Sequence, residues 1–160
     1  MSTREAMSHA ALGWVKPELD QTLLQMRQQI QDYVEEPDNG QPMLQAAAWL
    51  HQVQGTLRMV ELYAPALVAE ELELLAHAVH QGAVADTEEA CAVLMRGTVL
   101  LPDYLERLQD GHRDIPIVLL PLLNEIRAAR GADVLNESVL LAFGPEASDI
   151  SAEELEHARG

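Results

Sequence analysis

The chain has few of the residues that a nucleic-acid partner or a membrane surface would require. Its 160 residues include ten Lys and Arg against 26 Asp and Glu, for a formal net charge of −16. Phosphate binding needs a basic face, so this balance excludes nucleic acid as an expected partner and disfavours an anionic membrane surface. The acidity favours solubility and steers the chain toward a basic partner surface.

Cysteines and long apolar runs are also scarce. Cys91 is the single cysteine, so no intramolecular disulfide can form, which is typical of a reducing compartment. The first fifteen residues have no charged-then-apolar signal pattern, and no window is long and apolar enough to span a bilayer. These features predict a soluble, cytoplasmic chain with no membrane insertion.

Aromatic residues make up only 4% of a chain that is 48% hydrophobic, so Leu, Ala and Val must fill the core. Apolar residues recur at steps of three and four, which predicts an all-α, antiparallel bundle of four, or up to five, helices over residues 14–131. We expect a flexible N-terminus over residues 1–13 and a first helix that begins near Trp14 to Pro17. Further helices are predicted over about residues 42–62, 65–81, 86–109 and 114–131, the last with a separate first turn. Residues 132–160 are predicted to be a tail or linker, with the capping-box spacing of a short helix at 151–159.

His51 lies on the second predicted helix, just beside its apolar stripe and at the solvent edge. The stripe consists of Met43, Ala46, Leu50, Val53, Leu57 and Val60. Ala47, Ala48, Gln54 and Gly55 lie within one turn of His51, so its imidazole is predicted to be accessible to another protein. A glycine inside a helix costs about 1 kcal/mol relative to alanine, so Gly55 requires a reason in packing or access.

An accessible imidazole can do nucleophilic chemistry. It can hold a phosphoryl group as a phosphoramidate when one ring nitrogen is exposed and the other has an acceptor that fixes the tautomer. The third predicted helix offers three carboxylates for that purpose, Glu70, Glu71 and Glu73. The alternative is that His51 is an ordinary polar surface residue, which is the commoner outcome for a lone histidine at a helix edge.

Two runs of the sequence resemble a known family of signalling modules. Residues 51–55, His-Gln-Val-Gln-Gly, resemble the His-x-x-Lys-Gly motif of histidine phosphotransfer (HPt) domains, which lies on the second helix of a four-helix bundle. The longer runs 51–61 and 111–131 resemble the N-terminal segment of the CheA-like hybrid sensor kinases of type IV pilus chemotaxis-like (Chp/Pil) systems, which govern twitching motility. The resemblance implies a cytoplasmic histidine kinase as parent. The chain alone has no ATP-binding kinase domain and is not expected to be an enzyme.

The resemblance also implies a role for each site residue. His51 falls on the phosphoacceptor, Gly55 on the glycine that lets a receiver domain approach, and Glu73 on the glutamate that hydrogen-bonds the imidazole. The family usually has lysine where this chain has Gln54, and an amide is a weaker, neutral donor toward a phosphoryl group. Arg58, two turns along the same face, is the candidate to compensate.

Two hypotheses of function follow. In the first, His51 accepts a phosphoryl group from the kinase domain of its parent and passes it to the receiver domain of a response regulator, which brings the Mg²⁺. The chain itself is then expected to hold no cofactor. In the second, motivated by Gln54 and the acidic surface, the chain is a degenerate HPt-like domain that is not phosphorylated and docks a response regulator or a polar scaffold protein.

Other candidate sites are weaker. Glu73, His77 and His80 have the i, i+4 and i+7 spacing of metal ligands, but no second helix offers a matching set, so we predict no metal site. Cys91 is predicted to be a packed, inert thiol. Three methionines are predicted to occupy core positions: Met26, Met43 and Met59.

Overall fold

Six α-helices and one 3₁₀ helix make up the regular structure of the computed structural model, which describes residues 3–112 and 115–141. The first four α-helices are α1 (Thr3–Glu35), α2 (Gln41–Met59), α3 (Tyr63–His80) and α4 (Thr87–Gln109). The 3₁₀ helix (Pro116–Leu119), α5 (Leu120–Ala129) and α6 (Glu137–Leu141) follow. Helices α1 to α4 pack in a ring in which α1 contacts α2 and α4, and α3 contacts the same two. The predicted all-α helical bundle is thus confirmed.

The apolar stripes predicted from the sequence face inward in all four long helices. Their largest members are at most 1% exposed, namely Leu23, Met26, Ile30, Met43, Leu50, Leu57, Leu72, Leu75, Leu94 and Leu101. Burial of one such side chain contributes about 1.5–3 kcal/mol. This shared core holds α2 and α3 side by side along their length, which fixes the crossing on which His51 lies.

The N-terminus is helical almost from its start. Because α1 begins at Thr3, the prediction of a flexible segment over residues 1–13 is wrong for every residue of it that the structure describes. Alanine and methionine have high helix propensity and no helix-breaking residue precedes Gly13, so the helix extends to the N-terminal side of Trp14. This part of the helix has no apolar period from which it could be predicted. Pro17 lies inside α1 and not in its first turn. Proline has no N–H to donate to the Gly13 carbonyl, which lies on an exposed side of the helix.

Three helices end at a glycine, and α4 begins at a side-chain cap. Gly82, Gly111 and Gly131 follow α3, α4 and α5 with φ of 70°, 95° and 77°, the left-handed conformation that ends many helices. The Asp86 carboxylate accepts a hydrogen bond from the Glu89 N–H at 3.1 Å and caps α4. Tyr63 begins α3, two residues before the start near residue 65 that the sequence predicted.

The segment after α4 is attached to the bundle. The predicted separate turn is the 3₁₀ helix, and α5 is held by ion pairs of Arg96 with Glu125 and of Arg127 with Glu71. The Asn124 side chain accepts from the Leu135 N–H at 2.7 Å and donates to the Leu135 carbonyl at 3.1 Å. Leu140 of α6 is fully buried. The predicted tail therefore packs on the bundle as far as α6, while residues 142–160, with the predicted helix at 151–159, lie outside the described residues.

The three methionines divide between core and surface. Met26 and Met43 are buried as predicted, whereas Met59 is 84% exposed, so its assignment to the core is wrong. Met59 lies beside the inward positions Leu57 and Val60, on the solvent side of the last turn of α2. Met59 lies next to the inward position Val60, and the helical period does not distinguish sharply between neighbouring positions. The sequence alone therefore did not show whether Met59 faces the core or the solvent.

Cys91 lies in the core next to Tyr33, as predicted for a packed thiol. Burial raises the pKa of the Cys91 thiol, and burial together with the neighbouring Cys91 raises the pKa of the Tyr33 hydroxyl. The thiolate is the reactive form, so a raised pKa means less thiolate at any given pH up to that value.

We expect Cys91 to react with Ellman's reagent at pH 8 about a hundredfold more slowly in the folded chain than in denaturant. Its rate should still rise as the pH increases above the ordinary thiol pKa. Met59→Cys in a Cys91→Ser background gives the exposed control. Equal rates for Cys91 and the control thiol would contradict this account.

Candidate functional site

His51 projects from the middle of α2 over the crossing with α3. Its side chain is 73% exposed, as its position beside the apolar stripe predicted. The ring nitrogen Nδ1 lies 3.1 Å from Oε1 of Glu73, whose side chain is 18% exposed. The carboxylate accepts from Nδ1–H, which assigns the proton of the neutral ring to Nδ1 and leaves the lone pair on Nε2. A nucleophilic nitrogen is therefore held on an exposed, oriented ring.

Glu73 is shared between several neighbours. With its amide oriented to satisfy both ends, Gln54 donates from nitrogen to Glu73 Oε1 at 3.1 Å. The second carboxylate oxygen, Oε2, is 3.6 Å from Nε2 of His77, which is too long for a hydrogen bond and gives an ion pair only when His77 is protonated. The contacts within hydrogen-bond distance, from His51 and Gln54, both come from α2, so the Glu73 carboxylate is held against that helix and stabilises the orientation of His51.

Arg58 connects to the histidine through Gln54 and not by direct contact. Its Nε donates to the Gln54 side-chain oxygen at 3.2 Å, and its Nη2 donates to Glu70 Oε2 at 2.8 Å. The guanidinium is therefore oriented by Gln54 and Glu70. A chain of polar contacts runs from His51 through Glu73 and Gln54 to Arg58 and ends at Glu70. Glu73 and Gln54 thus stand between the positive charge of Arg58 and the histidine.

Gly55 leaves an open surface next to His51. The residue is exposed, and a Cβ added to it would meet no heavy atom within 4 Å. The packing of the chain itself therefore does not require glycine at this position, although glycine there costs about 1 kcal/mol of helix stability. Ala48 is exposed as well, whereas Ala47 is buried and contributes nothing to the surface. The reason for Gly55 has to lie outside the fold.

The surroundings of His51 suit a macromolecular partner better than a small ligand. The groove between α1 and α2 beside Gln52 and Thr56 encloses about 30 Å³, room for roughly one water molecule. Pockets for small molecules are about ten times larger. An exposed histidine, a bare helix face and a shallow groove instead form a surface on which another protein can rest.

The residues considered for a metal site are not brought together. His80 packs against Gly40, where an added Cβ would lie 2.9 Å from its ring, while His77 is near Glu73. Across residues 3–112 and 115–141, no three or more His, Cys, Asp and Glu side chains are arranged to hold a metal ion. Within the same residues, none of the helices combines the length and the apolar character needed to cross a membrane.

A histidine that is exposed on the second helix of a four-helix bundle and oriented by a carboxylate of the third helix is the arrangement of a histidine phosphotransfer domain. The model of the Hpt domain family matches residues 10–111, which contain α2, α3, α4 and most of α1. The chain belongs to the Hpt domain family. A domain of this kind is not a catalyst by itself.

The curated proteins include a similar scaffold protein. The chain is 34% identical over 128 residues to "Scaffold protein FimL" of Pseudomonas aeruginosa, an alignment that covers 80% of this chain and 23% of that protein. The chain thus spans about a quarter of the length of this relative. No solved structure matches the chain. The predicted resemblance is confirmed at the level of the HPt family, and the finer resemblance to a pilus-system kinase stays a prediction.

Proposed function

We propose that this chain is a phosphotransfer module in which His51 accepts a phosphoryl group and passes it to the receiver domain of a response regulator. The observation that carries the proposal is the hydrogen bond between His51 Nδ1 and Glu73, on a ring that is otherwise exposed. It provides the two requirements of a phosphohistidine, a fixed tautomer and a free nitrogen.

The transfer is balanced at each step. The Nε2 lone pair attacks the γ-phosphorus of ATP that is bound to a kinase domain, so an N–P bond forms while the bond to the ADP oxygen breaks. The Nδ1 proton stays between the ring and Glu73, and the negative Glu73 carboxylate balances the positive charge that the ring acquires. A carboxylate oxygen of the receiver then attacks phosphorus, and the N–P electron pair returns to Nε2. These steps need positioning and charge stabilisation more than covalent chemistry from the chain.

Gln54 determines what the partner must supply. The phosphoryl group would carry close to two negative charges and lie near the Glu73 carboxylate, and Arg58 is turned toward Glu70. Lysine at position 54 would bring a cation to this place, whereas the amide brings a neutral donor. The neutralising charge must then come from a kinase or receiver surface that is basic around its active site, which also suits a chain of net charge −16.

A second function is supported by Gln54 and by the relative's description as a scaffold protein. In this proposal His51 is not phosphorylated, and the open surface beside Gly55 docks a response regulator or a polar scaffold protein. Under either function, the resemblance of residues 51–61 and 111–131 favours a cytoplasmic Chp/Pil-type pathway that controls twitching motility. The parent would then be a hybrid histidine kinase or a scaffold related to one.

A labelling assay separates the two functions. We expect the wild-type chain, incubated with the kinase domain of a CheA-like kinase and radiolabelled ATP, to take up an acid-labile label that His51→Gln abolishes. His112→Gln changes another exposed histidine and should keep the full label. An unlabelled wild type, beside an HPt domain that the same kinase does label, rules out phosphotransfer and leaves the docking function.

Variants of the neighbours refine the same assay. Glu73→Ala should slow labelling about 10–100-fold, by analogy with carboxylates that orient metal-binding imidazoles, whose removal has an effect of that size. Gln54→Lys should increase the label, because it adds a cation next to the phosphoryl group. If only Gln54→Lys acquires label, the wild-type chain is a docking module that retains the fold of a transfer domain.

A further inference from the structure

We propose that two copies of this chain associate through the outer face of α1 as an antiparallel helix pair. This inference goes beyond the proposed function and does not depend on it. The surface concerned, here called the α1 seam, lies on the side of α1 that faces away from the core and has its own pattern of side chains.

The α1 seam has the spacing of a coiled-coil contact. Its members alternate at steps of four and three and are all exposed: Thr3, Met7, Ala10, Trp14, Pro17, Gln21, Leu24 and Gln28. Trp14 is 87% exposed, Met7 67% and Leu24 60%, although all three are large and apolar. Scattered exposed apolar residues are ordinary, but a heptad-spaced row of them on one helix is the pattern that packs against another helix.

The charge of the chain indicates which partner fits. None of the eight seam residues is acidic or basic, on a chain whose formal charge is −16. Two copies repel each other wherever their carboxylates face, so a face without charge is where they can approach at the lowest electrostatic cost. A basic partner, which the remaining surface would attract, finds no carboxylate on this seam. The seam therefore suits a second copy better than a partner of opposite charge.

Antiparallel pairing gives a consistent set of layers. With the two-fold axis between Val15 and Lys16, Trp14 packs on Pro17 and Met7 packs on Leu24 of the second copy. A parallel pair would instead oppose Trp14 with Trp14 and align the two helix dipoles. The seam is about 38 Å long at 1.5 Å per residue. A standard interface buries roughly 800 Å² on each partner, and we expect a contact made by a single helix to bury no more than that. The dimer should therefore be weak and dissociate at micromolar concentrations.

The dimer would leave the histidine accessible. His51 lies on α2 and is oriented by Glu73 of α3, whereas every residue of the α1 seam lies on the exposed side of α1. Each α1 seam contacts only the other copy, and each phosphoacceptor remains on a separate face. Failure of dimerisation would therefore say nothing about phosphotransfer, and failure of phosphotransfer would say nothing about the dimer.

Sedimentation over about 5 to 500 µM tests the association. We expect the weight-average mass of wild type to rise from 17.6 kDa toward twice that value. Trp14→Glu and Leu24→Glu should each raise the dissociation constant at least about tenfold. The matched control is Met59→Glu, which adds the same charge at an equally exposed methionine of α2 and should dimerise like wild type. A chain that stays monomeric throughout, or a Trp14→Glu variant that dimerises like wild type, overturns the proposal.

Disulfide trapping tests the register. In a Cys91→Ser background, Ala10→Cys mixed with Gln21→Cys should form the mixed disulfide, because the two positions meet in the antiparallel pair. Ala10→Cys alone should stay uncrosslinked, since its two copies lie about 16 Å apart along the pair and a disulfide needs Cα atoms within about 7 Å. Efficient crosslinking of Ala10→Cys to itself would overturn the antiparallel arrangement.

Discussion

Glu71→Ala is expected to lower the free energy of unfolding by about 3 kcal/mol or more. Glu71 is only 4% exposed, and its two carboxylate oxygens accept from Arg127 at 2.8 Å and from Arg130 at 3.0 Å. Without the carboxylate, two guanidinium groups remain largely buried beside α3 with no counter-charge. The loss falls toward the lower part of the 3–5 kcal/mol that broken buried pairs cost, because both arginines keep some contact with solvent.

Urea unfolding followed by circular dichroism measures this loss. Glu70→Ala is the matched control, because Glu70 is the preceding residue of α3 but forms a half-exposed pair with Arg58, so at most about 1 kcal/mol is expected. Replacing Glu71, Arg127 and Arg130 together by Leu and Met should recover most of the stability, since no buried charge is left unpaired. Similar losses for Glu71→Ala and Glu70→Ala would show that the buried cluster contributes little.

The three carboxylates of α3 show where sequence reasoning stopped. Glu70, Glu71 and Glu73 were equally good acceptors for His51 as long as only their presence on one helix was known. In the structure Glu73 hydrogen-bonds His51 and Glu70 hydrogen-bonds Arg58, while Glu71 accepts from an arginine of α5. Only the family resemblance singled out Glu73. The role of Glu71 depends on where α5 packs on the bundle. The helical period of α3 contains no information about which later segment of the chain packs against it.

The outer side of α1 was missed for a related reason. Periodicity reveals a helix by the face that it buries, and the inward residues of α1 from Leu19 to Tyr33 were correctly predicted in this way. Before Trp14 a single buried leucine, Leu12, interrupts a polar and alanine-rich stretch, so no period marks the helix there. Propensity alone extends α1 to Thr3. The sequence pattern therefore predicts a helix start near Trp14, and only the structure shows that this side chain is exposed on the outer side of a longer helix.

Leu72→Ala is expected to destabilise the chain by about 2–5 kcal/mol, and Gly97→Ala by about 1–2 kcal/mol. Both residues are buried where α3 meets α4, and an added Cβ at Gly97 would lie 2.6 Å from Leu72 Cδ2 and 2.9 Å from Cδ1. Real carbon atoms do not approach so closely, so Leu72 must move or the helices must separate. The gain of about 1 kcal/mol in helix propensity offsets only part of that cost.

The double variant of Leu72 and Gly97 is the informative measurement. When Leu72 is also alanine, the new methyl group enters space that the leucine has left, so the two losses should not add. We expect the double variant to be more stable than the sum of the single losses by about 1 kcal/mol or more, as for residues that share a contact. Additive losses would show that the Gly97 contact with Leu72 does not limit how closely α3 and α4 approach.

Gly55→Ala separates the two kinds of helical glycine in this chain. No atom lies within 4 Å of its added Cβ, so the substitution should stabilise the fold by up to about 1 kcal/mol, the opposite sign to Gly97→Ala. If the same variant slows transfer of the phosphoryl group to a receiver domain, glycine is present at position 55 because the partner needs close access there, although it lowers helix stability. Gly97 would then be required by the packing of the bundle and Gly55 by the surface beside His51, although both are single glycines inside a helix.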